Sequence, residues 1–180
     1  GNSANHLSET IEDFRDFFKP DKEKTDFTLA GSINKTFKLL ASQIKNREIE
    51  IIENIDDIRL RGYERELLQV LLNILNNAKD ALLDKEGEKL IFICIYKEDD
   101  KLNIEIKDNA GGIEDKIKEK IFDSYFTTKE EKGGTGIGLY MSKQIIEDSI
   151  GGKLFVSNVE YTYNKVEYKG AEFTILIPFE

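Results

Sequence analysis

Residues 67–82 read Leu-Leu-Gln-Val-Leu-Leu-Asn-Ile-Leu-Asn-Asn-Ala-Lys-Asp-Ala-Leu, and this segment constrains the chain more than any other. Leu67, Leu71, Ile74, Leu75, Ala78 and Leu82 recur at helical spacing and make one apolar side. Asn73, Asn77 and Asp80 fall at i, i+4 and i+7, so they share the other face. A helix so patterned must lay its back on a core and turn two amides and a carboxylate outward. Asn on such a face is ordinarily a solvated residue. Amide groups are also oxygen donors for a hard cation and hydrogen-bond donors for phosphate. The segments that follow favour the second use.

The rest of the chain reads as one domain with a short appendage. Residues 7–19 predict a helix with Leu7, Ile11, Phe14 and Phe18 on one stripe, ended by Pro20. That stripe either packs on the following domain or belongs to a dimerising helical hairpin. Phe27-Thr-Leu29 predicts a short strand and 31–46 a helix. Glu48–Glu53 alternates as a half-buried strand, and the Asn-bearing helix spans about 63–84, with a turn at Gly87. Two strands near 89–97 and 101–107 predict an antiparallel hairpin. The stretch 108–138 is polar and glycine-bearing, with a short helix near 114–121, and reads as a lid. A helix near 137–149 and strands near 153–158 and 172–178 follow, with a protruding hairpin rich in Tyr and Lys between the strands.

Composition narrows the function. A net charge of −9 argues against nucleic-acid binding, which needs a basic surface. An anionic ligand would have to be held by backbone amides, a metal or a few lysines. No apolar run is long enough to cross a bilayer and no signal peptide is visible, so this piece is expected to be cytoplasmic without membrane contact. The start Gly1-Asn2-Ser3, without Met, reads as a tag remnant on a fragment of something longer. The one cysteine, Cys94, excludes an internal disulfide and, within Leu90–Tyr96, reads as a buried core thiol.

Three further motifs come in order. Asp108-Asn-Ala-Gly-Gly112-Ile113 ends a strand in a glycine turn. A carboxylate there can accept from the exocyclic amine of adenine and would repel the carbonyl of guanine. The plainer alternative is an Asx turn. Phe122-Asp-Ser-Tyr-Phe126-Thr127-Thr128-Lys129 follows, then Gly133-Gly134-Thr-Gly136-Ile137-Gly138-Leu139 before a helix. Amides at a helix N-terminus suit an anion. Neither a P-loop nor a Rossmann context is present.

Together with Asn73 and Asn77, these motifs resemble the N, G1, F and G2 boxes of the sensor histidine kinase ATP-binding domain. That family belongs to the superfamily shared with gyrase, MutL and the heat-shock chaperone ATPases. The ending Gly170-Ala-Glu-Phe173-Thr-Ile-Leu-Ile-Pro178 resembles the family's last strand, and Phe-Thr-Thr-Lys its nitrogen-regulation-like members. The resemblance covers about residues 27–179. It implies an α/β two-layer sandwich: a mixed sheet of about five strands, helices on one face and a mobile ATP lid. ATP or ADP with Mg²⁺ is the implied ligand. Asp108, Gly112 and Ile113 would line the adenine pocket. Gly134, Gly136, Ile137, Gly138 and Leu139 would lie along the phosphates. Ala110 stands where the family's first glycine would be, which requires an ordinary backbone conformation there.

Asn77 would ligate Mg²⁺. Asn73 stands where hydrolytic relatives carry a glutamate base, and an amide cannot take a proton from water. Thr127, Thr128 and Lys129 would meet the nucleotide, Lys129 stabilising the γ-phosphate as it leaves. Lys132 is a weaker candidate of the same kind. Asp80 either holds a metal water or makes a helix contact. Phe122, Tyr125 and Phe126 are expected to anchor the lid by burial.

The implied function is transfer of the γ-phosphoryl to a histidine and then to a response-regulator receiver domain. The only histidine, His6, has no acidic residue directly after it and no proline within a helical turn or two. It is therefore not the expected acceptor. Residues 1–24 read as the end of the phosphoacceptor hairpin's second helix plus linker, and 25–180 as the ATP-binding domain. The alternatives are a hydrolytic ATPase of the same superfamily, a nucleotide-binding partner module without phosphotransfer, and a Ser/Thr kinase.

Overall fold

A computed structural model describes residues 23–124 and 138–179. Two strands, β1 (Thr25–Thr28) and β3 (Arg59–Gly62), pair antiparallel in a small sheet. The large sheet has the order β2-β4-β5-β7-β6, from β2 (Ile49–Ile55), β4 (Lys89–Glu98), β5 (Lys101–Asp108), β6 (Lys153–Tyr163) and β7 (Val166–Pro178). β2 runs parallel to β4 and the other neighbours are antiparallel, so the five-stranded mixed sheet is as expected. The helices are α1 (Leu29–Asn46), α2 (Glu64–Ala81), α3 (Asp115–Lys120) and α4 (Gly138–Gln144). α4 continues into a π turn over Ile145–Ile150 rather than as a regular helix.

The layers follow from side-chain period. On β4, Ile91, Ile93 and Ile95 point to one face, as do Ile104 and Ile106 of β5 and Phe173, Ile175 and Ile177 of β7. Leu67, Leu71, Ile74, Leu75 and Ala78 of α2 pack on them, with Leu29, Ile33 and Leu40 of α1. Each such fully buried Leu or Ile contributes on the order of 1.5–3 kcal/mol. The predicted apolar back of the Asn helix is therefore the centre of the core.

α1 and α2 lie side by side in the same direction. Ser32 Oγ donates to Glu64 Oε2 at 2.8 Å near their starts, and Arg47 meets Asp80 at 3.2 Å near their ends. Lys79, almost fully buried, donates to Gln43 of α1 and to Asn76 at 2.9 Å. α1 begins where Thr28 Oγ1 accepts from Gly31 N at 3.1 Å.

Three features depart from the sequence reading. Cys94 is only half-buried. It shares a strand face with Phe92 and Tyr96, opposite Ile93 and Ile95, so it lies on the outer side of the sheet and not in the helix-covered core. Burial and Glu105 both push its thiol pKa up. β3 was not anticipated, because Arg-Leu-Arg-Gly offers no apolar run. β6 and β7 are longer than expected and pair without a break from Lys153↔Leu176 to Tyr163↔Val166. The Tyr- and Lys-rich segment is thus the outer half of one long hairpin. Its turn residues Asn164 and Lys165 have φ of 49° and 65°, the backbone of a two-residue hairpin turn. No helix among the described residues is long and apolar enough to cross a membrane.

Candidate functional site

Asp108 is the last residue of β5 and is 2% exposed. Its Oδ1 accepts from Ala110 N at 2.9 Å and from Ala171 N at 3.3 Å. The first contact is the Asx bond foreseen as the plainer alternative. It occupies Oδ1 and leaves Oδ2 without a hydrogen bond from the described residues. Burial raises the Asp108 pKa, and the two N–H groups partly offset it. The backbone carbonyl of Asp108 accepts from Tyr161 Oη at 2.6 Å.

The turn after Asp108 is bound tightly to the sheet. Asn109 is buried; its Oδ1 accepts from Leu90 N at 2.9 Å and its Nδ2 donates to Glu88 O at 3.0 Å. Gly111 N donates to Lys169 O at 2.9 Å. Gly111 and Gly112 have φ of 101° and 92°, which only glycine adopts readily. Ala110 has no such φ, which is why a Cβ is accepted there. Asn158 of β6 clamps the turn's far side. Its Oδ1 accepts from Ile113 N at 2.8 Å and its Nδ2 donates to Ile113 O at 2.7 Å. A Cβ on Gly112 would lie 2.9 Å from Asn158 Oδ1. The first part of the expected lid is therefore fixed rather than loose. Phe122 is fixed too, edge-on to Phe173 with ring centroids 6.2 Å apart.

Asn73 is partly buried. Its Nδ2 donates to Gly138 O and to Ser142 Oγ, each at 3.1 Å. Ser142, fully buried, donates to Gly138 O at 2.8 Å. The Asn73 amide thus ties the first turn of α4 to α2. Asn77 lies one helical turn further along α2 and is half-buried. Asp80 sits within 3.2 Å of Arg47, the helix contact that was one of its two expected roles. Ile113 and Leu139 pack against the core beside this region.

The site residues therefore divide into two groups. Asp108, Gly112 and Ile113 stand at one strand end, Asn73, Gly138 and Leu139 stand where α2 meets α4, and Asn77 and Asp80 follow along α2, Asp80 beside Arg47 at the end of α1. Thr127, Thr128, Lys129, Lys132, Gly134, Gly136 and Ile137 lie outside the described residues, as do Tyr125, Phe126 and His6. The sequence reading did not single out Asn109, Asn158, Tyr161 or Ser142. Their signal is long-range pairing, which no local pattern carries.

A sequence model of the histidine kinase-, DNA gyrase B-, and HSP90-like ATPases matches residues 62–180. The chain belongs to that family. It is 33% identical over 135 residues to the two-component sensor PprA of Pseudomonas aeruginosa, covering 73% of this chain and 14% of that protein. It is 32% identical over 175 residues to the signal transduction histidine-protein kinase AtoS of Escherichia coli, covering 96% of this chain and 27% of that protein. The chain thus spans a small part of these curated relatives. The solved catalytic domain of histidine kinase ThkA, free of nucleotide, has a TM-score of 0.72 and 30% identity to it, covering 87% of this chain and 98% of that one. ThkA in complex with response regulator protein TrrA has a TM-score of 0.67 and 25% identity, covering 99% of this chain and 49% of that one. The protein is an ATP-binding catalytic domain of the sensor histidine kinase type.

Proposed function

We propose that this domain binds Mg-ATP between Asp108 and Asn77 and donates the γ-phosphoryl to a histidine outside residues 1–180. The observation that carries the adenine end is the Asp108 carboxylate. Backbone N–H groups hold Oδ1. Oδ2 can then accept from adenine N6, a polarity that disfavours guanine. Gly112 and Ile113 line the base, and the half-buried Asn77 supplies an amide oxygen to Mg²⁺. An ion held by Asn77 would supply positive charge against the phosphates during transfer.

Asn73 holds the start of α4, from which Gly138 and Leu139 face the phosphates with Gly134, Gly136 and Ile137. With an amide at this position no carboxylate takes a proton from water, so hydrolysis is slow and the phosphoryl is kept for the acceptor imidazole. Thr127, Thr128 and Lys129 contact the nucleotide from the lid. Asp80 positions Arg47 beside the same stripe.

Residues 1–24 belong to the phosphoacceptor hairpin and its linker, and 25–180 form the catalytic domain. The regulator partner is inferred by likeness to ThkA, and the domain works on the cytoplasmic side of its parent protein. Calorimetric titration tests the reading: Mg-ATP and Mg-ADP bind and Mg-GTP does not. Absence of adenine-nucleotide binding overturns it. Lys129→Ala keeps binding and slows phosphotransfer in the full-length protein. Rapid steady-state phosphate release from this chain would instead favour a hydrolytic ATPase.

A further inference from the structure

The outer half of the β6–β7 hairpin carries none of the residues assigned to nucleotide, yet the Asp108–Ile113 turn is built against it. The paired register of β5 with β7 stops at Lys107↔Glu172, while β6 and β7 stay paired out to Tyr163↔Val166. The turn attaches to this overhang at three places. Tyr161 Oη donates to Asp108 O at 2.6 Å, and Gly111 N donates to Lys169 O at 2.9 Å. At the far end, Asn158 engages both backbone groups of Ile113, accepting from N at 2.8 Å and donating to O at 2.7 Å. Asn158 and Tyr161 are three residues apart on β6, so they grip the turn from opposite faces of the strand.

We propose that Asn158 is a positioning residue of the purine site, setting Ile113 for the base before nucleotide arrives. This role rests on the nucleotide reading above and adds a residue that lies outside its motifs. The glycine pair creates the need. Gly111 and Gly112 both have positive φ, and two successive glycines have more backbone freedom to lose than any other pair. Gly111 is tied to Lys169, but nothing in the turn itself fixes the direction in which the chain leaves Gly112. The Asn158 amide fixes it one residue later.

The clamp is local in its effect. Asn158 is exposed, so its two bonds compete with water and add little to the stability of the sheet. They act instead on the balance between a turn that matches the base and one that does not. Apparent affinity falls in proportion to the fraction of protein in the matching state. An amide suits this task because one planar group offers an acceptor and a donor together, as a neighbouring strand would. The missing side chain at Gly112 belongs to the same fit, since a Cβ there would crowd Asn158 Oδ1 at 2.9 Å. Asn158 thus acts on the ligand only through Ile113.

Asn158→Ala in the 180-residue chain tests it. Mg-ADP affinity by calorimetry falls about tenfold, and stopped-flow mixing places the loss in slower association, with dissociation changed by less than about threefold. In the free protein, the Ile113 amide exchanges at least about tenfold faster, while Ala171 stays within about twofold. The thermal midpoint drops by no more than about 4 °C. A larger drop makes Asn158 a structural residue and overturns the proposal. Unchanged affinity, unchanged exchange at Ile113, or a loss carried by dissociation alone also overturns it. The wild-type chain separates the two readings. If it does not bind Mg-ADP, the nucleotide reading fails and takes this role with it; if it binds and Asn158→Ala binds equally well, only the role of Asn158 is lost.

Discussion

Gly170 lies so close to Asp108 that a Cβ built on it would fall 1.7 Å from the Asp108 carbonyl oxygen and 2.9 Å from its Oδ1. The next residue, Ala171, sends its N–H to that same Oδ1. The glycine is thus what lets β7 approach the end of β5 and orient the carboxylate. Its value lies in contact, since its φ is not positive.

Gly170→Ala should therefore act at a distance from the glycine itself. The clash is with backbone, so the strand end must separate, at about 1–3 kcal/mol or more. Urea unfolding is expected to report that loss, and calorimetry a weakened adenine nucleotide. Wild-type behaviour in both would remove Gly170 from the account.

Asp108→Asn separates binding from folding. The amide keeps an oxygen for Ala110 and Ala171 and places an NH₂ toward adenine N6, donor against donor. Such an unmatched buried contact costs about 1–3 kcal/mol, up to roughly a hundredfold in affinity. The unliganded variant should melt no lower than wild type, because a buried charge has been removed. Calorimetry and thermal melts check the two halves independently.

The pH dependence has a definite sign. Burial raises Asp108 and, with help from Glu105, Glu172 above ordinary carboxylate values in the folded state. The unfolded chain releases these protons first as pH rises. The stability these groups contribute is fully present below about pH 4 and is lost as pH climbs through their raised values. The difference between wild type and Asp108→Asn in melting temperature should follow that course. Nucleotide affinity moves the other way, falling as Asp108 takes up its proton. A flat difference curve would contradict the raised pKa.

Asn73→Ala removes both bonds that hold Gly138 O and Ser142 Oγ. An unfolding loss of about 1–2 kcal/mol is expected, with faster amide exchange over residues 138–144. Ser142→Ala should be non-additive with it, since the three groups form one network. Full additivity would mean that Asn73 serves α2 alone.

Local patterns exposed much of this molecule. The Leu67–Leu82 periodicity placed the helix, its buried side and its amide stripe, and the alternation of Ile91, Ile93 and Ile95 placed a central strand. Asp108 and the glycine turn were legible because turn chemistry is local. The clamp by Asn158 was not, because it joins residues that are 45 apart in sequence. β3 escaped notice because four residues with two arginines look like a loop until β1 pairs with them. Cys94 was misplaced because a continuous apolar run hides which residues face which way. Strand parity, counted from Ile93, would have put it on the outer side.

The phenol of Tyr161 rests on the carbonyl of Asp108. This chain has no tryptophan, so its seven tyrosines are its native emitters of ultraviolet fluorescence. The protein therefore carries its own optical probe bonded to the very residue assigned to the purine. Emission lost on replacing Tyr161 by phenylalanine would isolate that probe, and an unlabelled sample could then be followed in real time as ligand arrives.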